Sequence, residues 1–228
     1  MTILYPENIR GRVTAFFTGK TPGASIKEIS RITNTDESLI YMPIQKHTDK
    51  VIVFDADLGP VIRDIIGDAV ITKKKGIIIG VQVADCVPLL LFDTKREVIG
   101  AVHAGWRGTA KTVLIKTIRT MSFRFNSDPE DILVAMGPSV KWCCYEVDNN
   151  VANAVGKATG KGDYVRQKGA KFYLDLPAAN RYQALSEGIK EENIWITRDC
   201  TFCNPDRYCS YRYAKGPTCR QGGFIGMK

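Results

Sequence analysis

Short runs of apolar residues, each bounded by glycine, proline, aspartate or asparagine, recur along the chain and predict β-strands. These runs are rich in valine, isoleucine, phenylalanine and tyrosine, the residues that favour strands. The predicted strands are residues 13–17, 51–54, 76–83, 89–93, 98–102, 132–136, 171–176 and 193–197.

Apolar residues at helical spacing predict helices between these strands. The predicted helices are residues 109–121, 147–158 and 177–187. In the first, Leu114, Ile118 and Met121 share one face, and Thr109 is the expected N-cap. Strands alternate with helices, but one pair of adjacent strands forms a hairpin. The pattern therefore predicts a mixed α/β (α+β) fold, with mixed sheets covered by helices.

That hairpin joins residues 89–93 to 98–102 through a polar segment. A turn centred on Thr94-Lys95 pairs Asp93 with Arg96 and places Cys86 opposite His103. Opposed antiparallel residues have Cα atoms only ~4.5–5.5 Å apart, so a thiolate and an imidazole there can share one ion. Thr-Lys is not a favoured two-residue turn, so a register shifted by one residue stays open.

Length and composition limit the class of protein. The 228 residues suffice for a full hydrophobic core, and no linker or repeat interrupts them, so we expect a single domain over residues 1–228. No apolar stretch approaches the ~18 residues of a membrane span, and the N-terminus lacks a signal-peptide pattern. We therefore expect a soluble, cytoplasmic protein with no membrane contact.

The formal net charge is +8, which raises the question of nucleic acid. The basic residues are dispersed, with only Lys73, Lys74 and Lys75 forming a short run, and no aromatic residues interleave with a basic stripe. This pattern favours a basic, solvated surface over nucleic-acid binding. It also suits an anionic co-substrate such as phosphate.

The chain has only two histidines, His47 and His103, and both are candidate metal ligands or catalytic residues. Alone, His47 is typical of a surface loop and Cys86 of a small buried hydrophobe. Together, His47, Cys86 and His103 offer two nitrogens and one sulfur with no fourth protein ligand. Three ligands and an open position are typical of a catalytic zinc. The alternative is a metal-free hydrolase or deamidase in which Cys86 is the nucleophile and His103 the base.

The segment after His103, Ala-Gly-Trp-Arg-Gly, leads from a strand into a predicted helix. Its glycines allow close approach of a ligand, and Arg107 supplies a planar donor fork suited to phosphate. With the first turn of the helix, Arg107, Gly108 and Thr109 are the predicted phosphate contacts. The competing interpretation is an ordinary strand-to-helix turn with Trp106 in the core.

Several segments resemble signature blocks of the laccase-domain (YfiH-like) family, first called multicopper polyphenol oxidase and now assigned as purine nucleoside phosphorylases. The most specific are residues 45–47, 84–88 and 103–108. Further similar blocks are residues 137–140, 143–147, 174–176 with Asn180, 199–201, and 210–212 with Arg220. The resemblance implies that His47, Cys86 and His103 are metal ligands in an α/β/β/α layered sandwich.

The resemblance also implies a zinc-dependent purine nucleoside phosphorylase. Such an enzyme cleaves adenosine or inosine, and by extension methylthioadenosine, with phosphate, and it also deaminates adenosine. Arg212 is a second candidate for phosphate, and Asp175 and Glu146 are candidate acceptors for sugar hydroxyls. A copper polyphenol oxidase is disfavoured because a laccase needs many imidazoles. A non-enzymatic basic binding protein would leave the predicted ligand set unexplained.

The seven cysteines are an odd number in a chain large enough to fold without staples, so we expect thiols or ligands rather than disulfides. One hypothesis is a structural zinc bound by Cys200, Cys203, Cys209 and Cys219. The first pair has zinc-knuckle spacing, but the second pair is too far apart for a normal knuckle. Free core thiols are the alternative.

Overall fold

The computed structural model describes residues 1–54 and 64–228. Its strands are β1 (Ile3–Leu4), β2 (Val13–Thr18), β3 (Ile40–Tyr41), β4 (Val51–Val53), β5 (Ala69–Thr72), β6 (Ile78–Val83), β7 (Val87–Asp93), β8 (Val98–Ala104), β9 (Ile132–Met136), β10 (Glu146–Val147), β11 (Val165–Lys168), β12 (Lys171–Leu174), β13 (Ile194–Ile196) and β14 (Gln221–Met227). Its helices are α1 (Ile26–Thr33), α2 (Trp106–Ala110), α3 (Val113–Phe125), α4 (Asn149–Thr159), α5 (Leu176–Ser186) and α6 (Tyr211–Ala214). Each predicted strand is present, with ends shifted by a few residues at most.

The strands form two large mixed sheets and a small one. The six-stranded sheet has the order β13-β9-β7-β8-β5-β4, and the five-stranded sheet has the order β1-β2-β14-β6-β3. The third sheet, β10-β12-β11, is antiparallel throughout. Each large sheet contains both parallel and antiparallel pairs, as the hydrophobic pattern predicted.

The two large sheets pack face to face with helices outside them. Ile79 and Ile225 of the five-stranded sheet share a buried cluster with Leu90 and Ile99 of the six-stranded sheet. The other face of the six-stranded sheet is covered by α3, α4 and α5, whereas α1 covers the other face of the five-stranded sheet. This arrangement confirms the expected α/β/β/α layering. None of the described helices has the length and hydrophobicity needed to cross a bilayer.

The β7–β8 hairpin exists, but its predicted register is wrong. Asp93 pairs with Val98, not Arg96, so four residues form the loop. Asp93 Oδ1 accepts the backbone N–H groups of Lys95 and Arg96, each at 2.9 Å. This longer turn removes the need for Thr-Lys to form a disfavoured two-residue loop.

The predicted start of the helix at Thr109 is also wrong. The segment forms two helices, α2 and α3, separated at Thr112, which has a left-handed backbone with φ of 61°. Gly105, not Thr109, is the N-cap of α2. The predicted helices at residues 147–158 and 177–187 correspond to α4 and α5, each capped by an aspartate side chain.

Candidate metal centre and active site

Three side chains from separate parts of the chain converge at one end of the β7–β8 hairpin. His47 lies in the loop before β4, Cys86 directly precedes β7, and His103 lies near the end of β8. Their ligand atoms all lie within 4.8 Å of one another. Cys86 Sγ is 3.9 Å from His47 Nε2, and the two imidazole rings meet edge to face. We call this set the His-Cys-His site.

The corrected register explains how Cys86 reaches this position. Pro88 pairs with His103, and Val87 pairs with Ala104. Extending this register by one residue places Cys86 opposite Gly105. A Cβ atom on Gly105 would lie 2.7 Å from Cys86 Sγ and 3.2 Å from a His47 ring carbon. Position 105 therefore requires glycine because any side chain there would clash with Cys86 and His47. Its backbone conformation is not the reason.

A fully buried carboxylate, Asp68, orients both histidines. His103 Nδ1 lies 2.7 Å from Asp68 Oδ1, which leaves Nε2 as the ring nitrogen available to an ion. The same carboxylate accepts the backbone N–H groups of His47 at 3.0 Å and of Thr48 at 2.5 Å. These bonds hold His47 in its left-handed conformation, with φ of 55°. Buried carboxylates that accept the second ring N–H are usual partners of metal-binding histidines.

Charge within this group shifts three pKa values. Burial alone would raise the pKa of Asp68, but hydrogen bonds from His103 and Thr48 outweigh it and hold that pKa well below its usual range. Burial also opposes ionisation of Cys86, yet the charge of His103 and hydrogen bonds from both histidines lower the pKa of Cys86 to about 6. Against the effect of burial, Cys86 and Asp68 raise the pKa of His103 to about 9. Without an ion, the stable state is therefore a thiolate–imidazolium pair.

Asp85, the residue before Cys86, fastens the C-terminal segments to the site. It is buried and has a left-handed backbone with φ of 79°. One carboxylate oxygen accepts the Thr201 hydroxyl at 2.6 Å, and the other accepts the Arg212 backbone N–H at 2.7 Å. These bonds bring the start of α6, and with it Arg212, beside Cys86.

Two exposed arginines each lie over an aromatic ring. The Arg107 guanidinium stacks on the Trp106 ring at 4.4 Å, and the Arg212 guanidinium stacks on the Tyr145 ring at 4.9 Å. Burial and the negative charge of Cys86 raise the pKa of Tyr145, and the charges of both arginines act against that rise. The charges of Arg107, Arg212 and Cys86 therefore all act on Tyr145.

The structure gives Thr109 and Gly108 other surroundings. Thr109 is fully buried, and its backbone N–H donates to Gly105 O at 2.9 Å. Its hydroxyl accepts from Asn180 at 3.0 Å, and its carbonyl accepts from Gln183 at 2.9 Å. Gly108 is buried beneath the backbone of His103. The contacts of Thr109 fasten α2 to α5. Phosphate binding at Gly108 and Thr109 stays a prediction.

Asp175 and Glu146, the candidate hydroxyl acceptors, each have a local partner. Asp175 caps α5 by accepting the Ala178 N–H at 2.9 Å. Glu146 forms an ion pair with Lys171 at 2.9 Å. Asp175 therefore acts as a helix cap and Glu146 as a member of an ion pair. Binding of sugar hydroxyls by either residue stays a prediction.

The cysteines are arranged differently from the sequence hypothesis. Cys209 and Cys219 form a disulfide, so the expectation that all the cysteines are thiols is wrong for this pair. Neither can therefore join Cys200 and Cys203 in a metal site. Those two cysteines instead lie beside Cys143 and Cys144. The sequence offered no sign of this partnership because about sixty residues separate the two pairs.

Several known proteins are similar to this chain in sequence. It is similar to the purine nucleoside phosphorylase YlmD of Bacillus subtilis (strain 168), with 34% identity over 163 residues, which cover 71% of this chain and 59% of the relative. It is 38% identical to the purine nucleoside phosphorylase of Aquifex aeolicus over 182 residues, 79% of this chain and 80% of the relative. A protein named adenosine deaminase RL5, from an unknown prokaryotic organism, is 35% identical over 182 residues, 76% of this chain and 69% of the relative.

The fold and the family agree with these relatives. The crystal structure of YlmD from Geobacillus stearothermophilus matches with a TM-score of 0.88 and 26% identity, covering 96% of this chain and 93% of that one. A family model described as multi-copper polyphenol oxidoreductase laccase matches residues 23–228. Because that match spans nearly the whole length, and includes every residue of the His-Cys-His site, the chain belongs to this laccase-domain family.

Proposed function

We propose that the protein is a zinc-dependent purine nucleoside phosphorylase, which cleaves adenosine or inosine with phosphate to the base and ribose 1-phosphate. The observation that carries the proposal is the convergence of His47, Cys86 and His103 within 4.8 Å of one another. Support comes from the relatives named purine nucleoside phosphorylase. The exposed arginines beside the site provide a region suited to phosphate.

The donor atoms fit zinc. Zn–S and Zn–N bonds of about 2.3 Å and 2.0–2.1 Å in a tetrahedron require a sulfur–nitrogen separation of about 3.6 Å. Cys86 Sγ and His47 Nε2 are 3.9 Å apart, so only a small adjustment is needed. Three ligands leave a fourth position, and bound zinc would supply a Lewis acid there.

The protein's own groups supply the rest of the chemistry. Asp68 keeps the proton of His103 on Nδ1, so the ring remains oriented with Nε2 toward the ion. Breaking an N-glycosidic bond builds positive charge on the ribose, so an anionic nucleophile held close to it stabilises the transition state. In the proposal, Arg107 and Arg212 bind phosphate on that side. The aromatic rings of Trp106 and Tyr145 keep the two guanidinium groups in place.

We infer adenosine deamination as a second activity, favoured by the relative named adenosine deaminase. Deamination replaces the amino group at C6 with the oxygen of a water molecule, releases ammonia and does not consume phosphate. The same ligand set suits it because a Lewis acid also assists attack by water. The two activities would therefore share the His-Cys-His site but differ in their need for the arginines.

Two other functions are less well supported. Laccase chemistry requires several coppers fed by many imidazoles, and the whole chain has two histidines. A metal-free cysteine hydrolase is favoured by the low pKa of Cys86 and the high pKa of His103. It gives no role to His47, whose ring contacts both of the other residues.

The test is product identification with zinc-loaded protein and adenosine, with and without phosphate. We expect adenine and ribose 1-phosphate only when phosphate is present, and inosine in both conditions. Arg96→Lys should give the same products as the unaltered protein, because Arg96 lies in the turn at the opposite end of the β7–β8 hairpin from the His-Cys-His site. It therefore serves as the control for variants of the site. Release of free ribose independently of phosphate would contradict the proposal and indicate a hydrolase.

A further inference from the structure

A second group of sulfur atoms lies outside the His-Cys-His site. We call it the four-cysteine cluster, and it consists of Cys143, Cys144, Cys200 and Cys203. Their Sγ atoms all lie within 4.8 Å of one another. Cys144 Sγ is 3.2 Å from Cys203 Sγ, and Cys143 Sγ is 3.7 Å from it. These separations are too long for disulfide bonds, in which sulfurs are ~2.05 Å apart.

The spacing matches the coordination of one ion. Four thiolates around zinc, each about 2.3 Å from it, form a tetrahedron with edges of about 3.8 Å. The measured sulfur separations of 3.2 and 3.7 Å lie close to that edge. A tetrahedral set of four sulfurs selects zinc or iron among the common metals. With all four sulfurs this close together, there is room for a single ion rather than a cluster of several.

The local backbone supports the same interpretation. Cys200 and Cys203 have zinc-knuckle spacing. The Thr201 backbone N–H donates to Ser139 O at 3.1 Å, which ties the segment of Cys200 and Cys203 to the segment of Cys143 and Cys144. Cys200 also forms a β-bridge with Ser139, which fixes the two cysteine-bearing loops against each other.

A positive charge lies beside these sulfurs. The Lys141 side chain is half-buried and donates to Thr197 O at 2.9 Å. The charges of Asp175, Cys200, Asp199 and Cys143 all act on its ammonium group. A zinc ion with four thiolates keeps a net negative charge, and a nearby lysine offsets part of it.

We propose that the four-cysteine cluster is a second metal site, which holds one structural zinc ion. It is closed, because four protein ligands leave no position for a substrate. The site joins the loop that carries Tyr145 to the turn that carries Thr201. Thr201 in turn donates to Asp85, the neighbour of Cys86. The second zinc would therefore brace one wall of the His-Cys-His site without taking part in the reaction.

The test is metal content after reconstitution with zinc and removal of unbound ion. We expect two zinc ions per chain in the unaltered protein and one in Cys143→Ser and in Cys203→Ser. Both of these cysteines are exposed, so their substitution leaves the apolar core intact. Cys86→Ser is the matched control, because the same substitution removes the other ion and leaves the four-cysteine cluster unchanged.

Cobalt gives a second readout that does not depend on activity. Cys86→Ser loaded with cobalt should show strong visible bands and sulfur-to-cobalt charge transfer, typical of tetrahedral tetrathiolate coordination. A Cys86→Ser/Cys203→Ser variant should lose them. The proposal would be overturned by one zinc per chain in the unaltered protein that is absent from Cys86→Ser. A disulfide between Cys144 and Cys203 in protein purified under reducing conditions would overturn it equally.

Discussion

Residues 1–54 and 64–228 contain two groups of potential metal ligands, and these differ in composition, surroundings and openness. The His-Cys-His site has three ligands of two kinds, and the fully buried Asp68 orients it. The four-cysteine cluster has four ligands of one kind, carried by two loops that the Ser139–Cys200 β-bridge joins. The first leaves a position for substrate, whereas the second leaves none.

This difference in ligand number assigns the two sites different roles: the open site would carry out the reaction, and the closed site would stabilise the fold. The open site lies at one end of the β7–β8 hairpin, whereas the closed cluster lies where two loops meet. We therefore expect substitutions at the open site to abolish turnover with little effect on folding. Substitutions at the closed cluster should do the reverse.

The largest effect is expected for Cys86→Ser. The substitution removes the only sulfur ligand of the His-Cys-His site, so phosphorolysis and deamination should fall together to background. Because Cys86 is not part of the hydrophobic core clusters, circular dichroism should show an unchanged fold. Full activity with full zinc content in this variant would show that the reaction occurs elsewhere.

Arg107→Lys should separate the two activities. The change keeps the charge but removes the bidentate fork. Loss of one charge-assisted hydrogen bond, ~1.5–3 kcal/mol, would raise the phosphate concentration needed for half-maximal rate about 10- to 150-fold. Deamination should change little, since it uses no phosphate.

The control for Arg107→Lys is Arg96→Lys, for which neither activity should change. Equal loss of both activities in Arg107→Lys would mean that the arginine positions the purine or the loop. In that case Arg212→Lys becomes the variant expected to raise the phosphate requirement.

Asp68→Asn should weaken the open site without removing a ligand. The amide keeps the shape of the carboxylate but no longer stabilises the proton on His103 Nδ1. Changes of this kind cost about 10- to 100-fold in metal affinity or activity. Zinc titration against a chelating indicator measures the affinity, and excess zinc should restore most of the turnover. If excess zinc restores nothing, Asp68 acts on the reaction or the fold rather than on metal binding.

The two groups should also differ in thiol reactivity when the metal has been removed. Against the effect of burial, the charge of His103 lowers the pKa of Cys86 to about 6. Partial burial, with hydrogen bonds to Cys200 and Cys203, raises the pKa of Cys143 to about 11. Iodoacetamide labelling followed by peptide mass spectrometry should therefore show Cys86 reacting half-maximally near pH 6. Cys143 should need strongly alkaline conditions, and equal pH profiles would contradict the proposed difference.

The shifted pKa values of Cys86 and His103 also make the free energy of unfolding depend on pH. The lowered pKa of Cys86 contributes stability at alkaline pH that is lost as the pH falls through about 6. The raised pKa of His103 contributes stability at acidic pH that is lost as the pH rises through about 9. Between pH 6.5 and 9 the gain from one group offsets the loss from the other, so the pair's total contribution in the metal-free protein should change little with pH there. Cys86→Ala should remove that contribution in urea unfolding measured across the range.

The smallest effect on turnover is expected for Cys203→Ser. Loss of the structural zinc should lower activity only modestly, through the loops that carry Tyr145 and Thr201. Stability should change more: at free zinc about 100 times Kd the ion contributes ~2.7 kcal/mol, or about 5–11 °C in thermal midpoint. Scanning calorimetry with and without zinc measures this shift. An equal midpoint for Cys203→Ser and the unaltered protein in zinc would leave the cluster without a structural role.

Hydrophobic patterns predicted the sheets better than they predicted the sites. Runs such as Ile132–Met136 are continuous and buried, so their period and composition identify them as strands. Strand β14 escaped prediction because three of its seven residues are glycine. The glycines on this pair of strands have a packing role: a Cβ on Gly80 of the neighbouring strand would lie 2.3 Å from the Phe224 ring. Side-chain propensity does not report such cross-strand fits.

For the site, the sequence predicted the ligands but not what holds them. His103 and Cys86 flank one hairpin, so local geometry brings them together even when the assumed register is wrong. Asp68 and the pairing of Cys143 with Cys203 depend on contacts between distant segments, which no local pattern contains. Thr109 was misplaced because the left-handed residue Thr112, which breaks the helix, is not distinguished by its residue type.

The most direct test of metal-dependent catalysis is His47→Ala, measured for zinc content and turnover of adenosine in the same preparation. The cysteine-hydrolase alternative needs only Cys86 and His103, so under that mechanism the variant keeps much of its activity and resists chelators. We expect instead that His47→Ala loses the ion of the open site, retains the ion of the four-cysteine cluster, and has neither phosphorolytic nor deaminating activity. Substantial turnover in this variant, unaffected by a chelator, would contradict metal-dependent catalysis by the His-Cys-His site.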